Sequence, residues 1–190
     1  MNNIIEDLVV QLSTDPFNPE LNFKCAVEYE NLNQTASAVS FYLRAAEYGY
    51  VSDPLIAYSS LLRVSICFED QNDRNNTITN CLLQAIQYLP DRPEGYFLMS
   101  RFHERAANWQ ESYTFAELGL MFAKQNESLP INVDYPAEYA LTFQKAIAAW
   151  WIGRIKESVM LLTALKDNPE ISEPYMYSIK NNLEKINVAV

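Results

Sequence analysis

Glycine is scarce in this chain of 190 residues, and its four copies, Gly49, Gly95, Gly119 and Gly153, never cluster. Neither a glycine-rich phosphate loop nor a dinucleotide fingerprint can be assembled from them. Histidine is scarcer still. His103 stands alone, and Cys25, Cys67 and Cys81 have no zinc-ligand spacing. His103 has no nucleophile or orienting acid at a motif spacing, so it reads as a packed or surface histidine, and the chain has no catalytic constellation. Basic charge is short as well, with 14 Lys and Arg against 24 Asp and Glu and a net charge of −10. Phosphate backbones would be repelled overall and no run of Lys or Arg offers a local exception, so no nucleic-acid partner is expected. The acidic balance reads as a solvated surface or as a preference for a basic partner segment. The longest apolar run, Ala146 to Gly153, is far below the roughly 20 residues that span a bilayer. Met1-Asn-Asn-Ile-Ile-Glu-Asp7 lacks the basic region of a signal peptide. Three cysteines, each within an apolar helical pattern, fit buried free thiols in a reducing compartment. The expectation is a cytoplasmic protein without cofactor, metal or membrane insertion, and not an enzyme.

What the chain does have is a helix-pair pattern that recurs four times. The third copy carries it most clearly: Pro93-Glu-Gly-Tyr-Phe-Leu-Met-Ser100, then Trp109-Gln-Glu-Ser-Tyr-Thr-Phe-Ala116, then Gly119-Leu120. A bulky residue opens one helix, a small residue follows, an aromatic starts the second helix, and small residues line its inner face. One such pair cannot bury its apolar face alone, so copies must stack. Ile4, Leu8, Val9 and Leu12 form one stripe of a short leading helix. Asn18-Pro19 and Asp53-Pro54 each place an N-cap before a proline at the first helical position. Repeats are expected at about 19–50, 53–89, 91–124 and 136–166, with a cap helix over 174–187. Ala38, Tyr42, Ala45 and Ala46 form the inner stripe of one second helix, and Gly49 is read as its C-terminal cap. The inner-face residues Ala45, Ala85, Gly119 and Leu165 lie 40, 34 and 46 positions apart. The turn Glu69–Asn76 looks one or two residues longer than the others; its acids and amides lack EF-hand spacing and read as a solvated turn. Residues 125–134 form a loop of about ten residues, a length often tied to function.

These residues resemble the tetratricopeptide repeat (TPR) family from about Pro19 to Lys166, most strongly in the first and third copies. The resemblance implies one all-α domain over 1–190. Its fold would be a right-handed α–α superhelix, a TPR-like solenoid of about four helix pairs with a leading helix and a capping helix. A narrower likeness runs through Pro90-Asp-Arg-Pro-Glu94, Asn108-Trp-Gln-Glu-Ser-Tyr113, Val133-Asp-Tyr135 and Ala148-Ala-Trp-Trp-Ile-Gly-Arg154. That order is similar to the repeat region accompanying certain family-2 type glycosyltransferases. Yet the chain has no Asp-x-Asp metal motif, αβ alternation or nucleotide turn, so the likeness implies an accessory module and not transferase activity.

In tetratricopeptide arrays the first helices of successive pairs line a groove where ligands lie. Here that groove would present Glu30, Glu69, Asp70, Arg101, Glu104, Arg105, Trp150 and Trp151, with Phe23, Phe97 and Phe143 beneath. Arg101 and Arg105, at i and i+4, point the same way and form either a clamp for a carboxylate or an internal network with Glu104. Trp150 and Trp151 lie 100° apart, so one is expected inside and the other outside as an anchor. Trp109 reads as structural; its removal is expected to cost about 3–5 kcal/mol if the ring is buried. The expected function is a non-catalytic scaffold for a protein or peptide partner. The alternatives are an accessory module of a glycosyltransferase system and a self-assembling structural component.

Overall fold

The structure is a computed structural model that describes residues 3–69, 71, 74–124 and 127–189. The described residues form helices and connecting turns, and the fold is all-α, of the α–α superhelix class. The helices are α1 (Asn3–Thr14), α2 (Pro19–Asn31), α3 (Thr35–Ser52), α4 (Pro54–Glu69) and α5 (Asn75–Tyr88), then α6 (Pro93–Arg105), α7 (Trp109–Leu120), α8 (Glu138–Trp151), α9 (Ile155–Lys166) and α10 (Glu173–Ala189). Successive helices pack as the pairs α2/α3, α4/α5, α6/α7 and α8/α9. No described helix is long and apolar enough to cross a membrane.

Proline sets the start of several helices. The Asn18 side chain accepts from the Leu21 amide at 3.0 Å and Asp53 Oδ1 accepts from the Ile56 amide at 3.1 Å, so both expected caps are formed. Residues 32–34, 106–108 and 152–154 join the helices of three pairs, whereas 70–74 join α4 to α5. Each three-residue turn closes in the same way. Its middle residue, Asn33, Ala107 or Gly153, is left-handed, with φ of 57°, 56° and 82°. The next amide then reaches back five residues: Gln34 to the Tyr29 carbonyl, Asn108 to His103 and Arg154 to Ala149, at 2.8–2.9 Å. This is the Schellman closure, which satisfies carbonyls the helix end leaves open.

The chain forms two compact units, one of Met1–Pro90 with Glu127–Val133, the other of Asp91–Asn126 with Asp134–Val190. In the first, Phe23, Ala26, Ala38, Tyr42, Ala45, Ile56 and Val64 make the core, and Ala38, Tyr42, Ala45 and Ala46 are buried as expected. Gly49 is not a cap: α3 runs on to Ser52, and the glycine lies where a Cβ would sit 3.3 Å from Pro19 Cβ. Of the α1 stripe only Leu8 is buried; Ile4 and Val9 stay exposed. In the second unit, Ala146, Leu162, Leu165, Ile179 and Ile186 join α8, α9 and α10. Ser100 Oγ donates to the Ser112 carbonyl at 2.8 Å, and a Cβ on Gly119 would meet Tyr96 Cβ at 2.8 Å. Small residues thus allow α6 and α7 to approach closely. The third pair ends at Leu120 and the fourth begins at Glu138.

Candidate functional site

In the first unit the face of α2 and α4 is built around one carboxylate. Glu30, in the last turn of α2, accepts from the Tyr42 hydroxyl at 2.7 Å and from both Arg63 Nε (3.2 Å) and Arg63 Nη2. The Cys67 thiol lies 3.6 Å from the same carboxylate. Burial pushes the Tyr42 hydroxyl pKa far up, with the hydrogen bond to Glu30 adding to it. Burial would lower the Arg63 pKa, but its hydrogen bonds to Glu30 hold it above the ordinary value. The guanidinium therefore stays charged, and a planar fork held by one carboxylate leaves a donor directed elsewhere.

That donor, Arg63 Nη1, reaches the Asn132 carbonyl at 3.0 Å. Residues 127–133, which carry no regular secondary structure, form a strap belonging to the first unit. Ile131 packs against the Phe23–Ile56–Val64 core and Val133 is buried. Next to Leu129 and Pro130 the face stays open as a cavity of about 670 Å³, floored by Ile4, Leu8, Phe23, Val27, Leu55 and Ile56. Glu20, Lys24, Glu28 and Asp53 stand at its rim, with Lys24 Nζ 2.7 Å from Glu20.

The second unit is built differently. Arg101 sits over the buried Phe97 ring at 5.7 Å and pairs with Asp134 at 3.5 Å. Tyr175, from α10, packs edge-on against Tyr139 (5.2 Å) and Phe143 (5.3 Å) of α8. Burial pushes the Tyr175 hydroxyl pKa up, Tyr139, Glu104 and Asp134 push the same way, and Arg101 opposes them. A further network pins α7, α8 and α9. Tyr113 donates to Glu157 at 2.9 Å, and Arg154 Nη1 donates to the Tyr113 oxygen at 2.8 Å. Lys145 pairs with Glu117 at 3.0 Å and Glu157 at 3.2 Å. Burial works against the charge on Glu157, but hydrogen bonds from Tyr113 and Lys145 hold its carboxyl below the ordinary value.

The expected site residues fall into separate neighbourhoods. Glu30 belongs to the Tyr42–Arg63 lock of the first unit. Glu69 is the half-buried last residue of α4, and Asp70, with Asn72 and Asp73 of the same turn, lies outside the described residues. Arg101 and Glu104 share the surroundings of Tyr175, while Arg105 ends α6 in an exposed position. Trp150 packs half-buried against the second unit's core, and Trp151 is 59% exposed. The outward tryptophan lies flat on Trp109, with centroids 5.0 Å and planes 13° apart. Trp109 is only half-buried, so its loss is worth less than the full-burial figure. His103 stacks on Phe115 at 5.5 Å. All three cysteines are buried free thiols. Sequence reasoning passed over Arg63, although it is the lone charge between Pro54 and Phe68. It also left the strap without a position, because 125–134 has no periodicity to read.

No protein-family model matches the chain, and no curated protein matches it. Solved structures do. MamA superposes with a TM-score of 0.64 at 13% identity over 85% of this chain and 84% of its own. PilW, a widely conserved type IV pilus biogenesis factor, gives 0.65 at 16% identity over 92% and 72%. A Podosopora anserina putative kinesin light chain with nearly identical TPR-like repeats gives 0.62 at 15% identity over 90% and 88%. At such identities the likeness speaks for the fold alone, and the fold is that of tetratricopeptide-type helix pairs.

Proposed function

We propose that this protein is a non-catalytic scaffold that holds an extended segment of a partner protein against the first helices of its pairs. The observation that carries this reading is the strap: the α2/α4 face already holds an irregular stretch of chain by an arginine–carbonyl bond and apolar side chains. Extended peptides are held by that same combination of backbone hydrogen bonds and side-chain pockets. In the second unit the contact residues we assign are Arg101, Glu104, Arg105, Trp150 and Trp151, with the Trp109–Trp151 stack as an outward anchor. Glu69 and Asp70 extend the assignment in the first unit, where Glu30 acts by aiming Arg63. The three buried thiols favour a reducing compartment such as the cytoplasm.

The test is capture of partners by wild type, Arg101→Glu and Trp151→Ala, with folding checked by circular dichroism. Loss of the captured set by either variant supports the assignment. Capture of identical partners by both variants overturns the second-unit face. An accessory role beside a family-2 type glycosyltransferase rests on the order of sequence motifs between Pro90 and Arg154. It requires a transferase that co-purifies with this chain and changes activity when the chain is removed.

A further inference from the structure

The strap fills only part of the face it crosses. Asn132 is held at Arg63 and Leu129 borders the cavity beside Leu55. Between these two contacts the chain bends at Pro130 and Ile131. Beyond Leu129 and Pro130 the surface that seats the strap continues into open space of about 670 Å³, within the 300–1,000 Å³ range of ligand pockets. Ile4, although apolar, lines this space and is 52% exposed. The rim carries the carboxylates of Glu20, Glu28 and Asp53 against the single ammonium of Lys24, in a chain of net charge −10.

We infer that this cavity takes a short extended peptide from a partner protein, in which one or two bulky apolar residues are flanked by Lys or Arg. The apolar side chains lie on Leu8, Phe23, Val27 and Ile56, and the flanking cations meet the acidic rim. The strap remains seated and forms one wall of the site. This rests on the scaffold reading and narrows it by naming the partner's chemistry. Burial of the apolar pair supplies affinity, while the rim supplies selection by charge and a faster encounter. Acidic peptides, with the same apolar pair, are rejected by like charge.

The experiment uses the full chain and three fluorescent octapeptides. One is Gly-Lys-Lys-Leu-Phe-Lys-Lys-Gly, the second has Glu for every Lys, and the third has Gly-Ser for Leu-Phe. Binding is read by anisotropy and located by methyl NMR. The inference expects the first peptide to bind at least tenfold more tightly than either other, and to shift the methyls of Ile4, Leu8, Val27, Leu55 and Ile56. It also expects affinity to fall between about 0.05 and about 0.5 M salt. Glu20→Lys, at an exposed position, should weaken binding several-fold with the melting temperature unchanged. Equal binding of the acidic peptide, or shifts confined to other residues, overturns the inference. So do the absence of peptide binding and shifts of the same methyls by self-association alone. Partner capture through the second-unit residues is unaffected by any of these outcomes, so the scaffold reading stands or falls separately.

Discussion

The two units are made from the same helix pair, yet equivalent positions do different work in them. Counted from the left-handed turn residue, Glu30 and Glu104 occupy one position, Tyr29 and His103 another, and Tyr42 and Ala116 a third. In the first unit the tyrosine hydroxyl and Arg63 lock the carboxylate, and the locked arginine holds the strap. In the second an alanine stands where the tyrosine would be, and Glu104 lies instead in the surroundings of Arg101, Asp134 and Tyr175. The fold tolerates either arrangement, because the helix-pair packing depends on the small inner-face residues and the turn closure. What the difference sets is the character of each face.

The comparison is broken most severely by removing the lock. Arg63 and Glu30 have side chains 16% and 22% exposed. Removing either leaves a charge half-buried without its partner, so Arg63→Ala or Glu30→Ala should cost about 2–3 kcal/mol in urea unfolding. Glu104→Ala, at the equivalent position, should cost under about 1 kcal/mol. Equal losses at Glu30 and Glu104 would mean the two carboxylates are not distinct. Next come the buried helical glycines. Gly119→Ala forces a Cβ to 2.8 Å from Tyr96 Cβ and 2.9 Å from a Leu141 methyl, and should cost about 1–3 kcal/mol. Gly49→Ala meets its nearest atom at 3.3 Å, and the strain is offset by the roughly 1 kcal/mol that alanine gains over glycine in a helix. Its melting temperature should therefore barely move.

A smaller and opposite effect is expected in the turns. Ala107 holds φ 56° without the tolerance of Asn33 at the same position. Ala107→Gly should stabilise by about 0.5–1 kcal/mol, and Asn33→Gly by no more than a few tenths. Gly153→Ala, whose Cβ would meet nothing within 4 Å, isolates the backbone strain and should destabilise by about 1 kcal/mol.

The smallest effect separates His103 from Tyr29. Burial lowers the His103 pKa, Glu111 opposes this in part, and Nδ1 is buried without a hydrogen-bond partner among the described residues. The unfolded chain therefore binds a proton more readily than the folded one. Stability from the neutral ring is fully present above the ordinary histidine value of about 6.5, and is lost as pH falls through the lower folded value. His103→Tyr should flatten the part of the stability–pH curve that lies below the ordinary histidine value of about 6.5, without altering the loss from carboxylates such as Glu157 at lower pH.

Much of the fold could be read from local signals. The Asn18-Pro19 and Asp53-Pro54 starts, the inner stripe of α3 and the small residues around Ser100 and Gly119 are each decided within a few turns of helix. Gly49 was misread because a glycine that admits a neighbouring chain and one that ends a helix look alike in sequence. The first-unit face was illegible for another reason. Its key contacts join Glu30 to Arg63, 33 positions away, and Arg63 to Asn132, 69 positions away. Ile131, Val133 and the Asn132 carbonyl, which seat the strap, leave no periodic pattern. Trp150 is half-buried and Trp151 exposed, as two residues 100° apart on a helix can be, but the stack of Trp151 on Trp109 depends on how α7 packs against α8.

The seating of the strap is tested most directly by NOEs from the Ile131 methyls in uniformly protonated wild-type protein. The account predicts cross-peaks to the core that contains Phe23, Ile56 and Val64, weakened in Arg63→Ala. A wild-type spectrum in which Ile131 shows solvent-exposed shifts and no cross-peak to that core would contradict it.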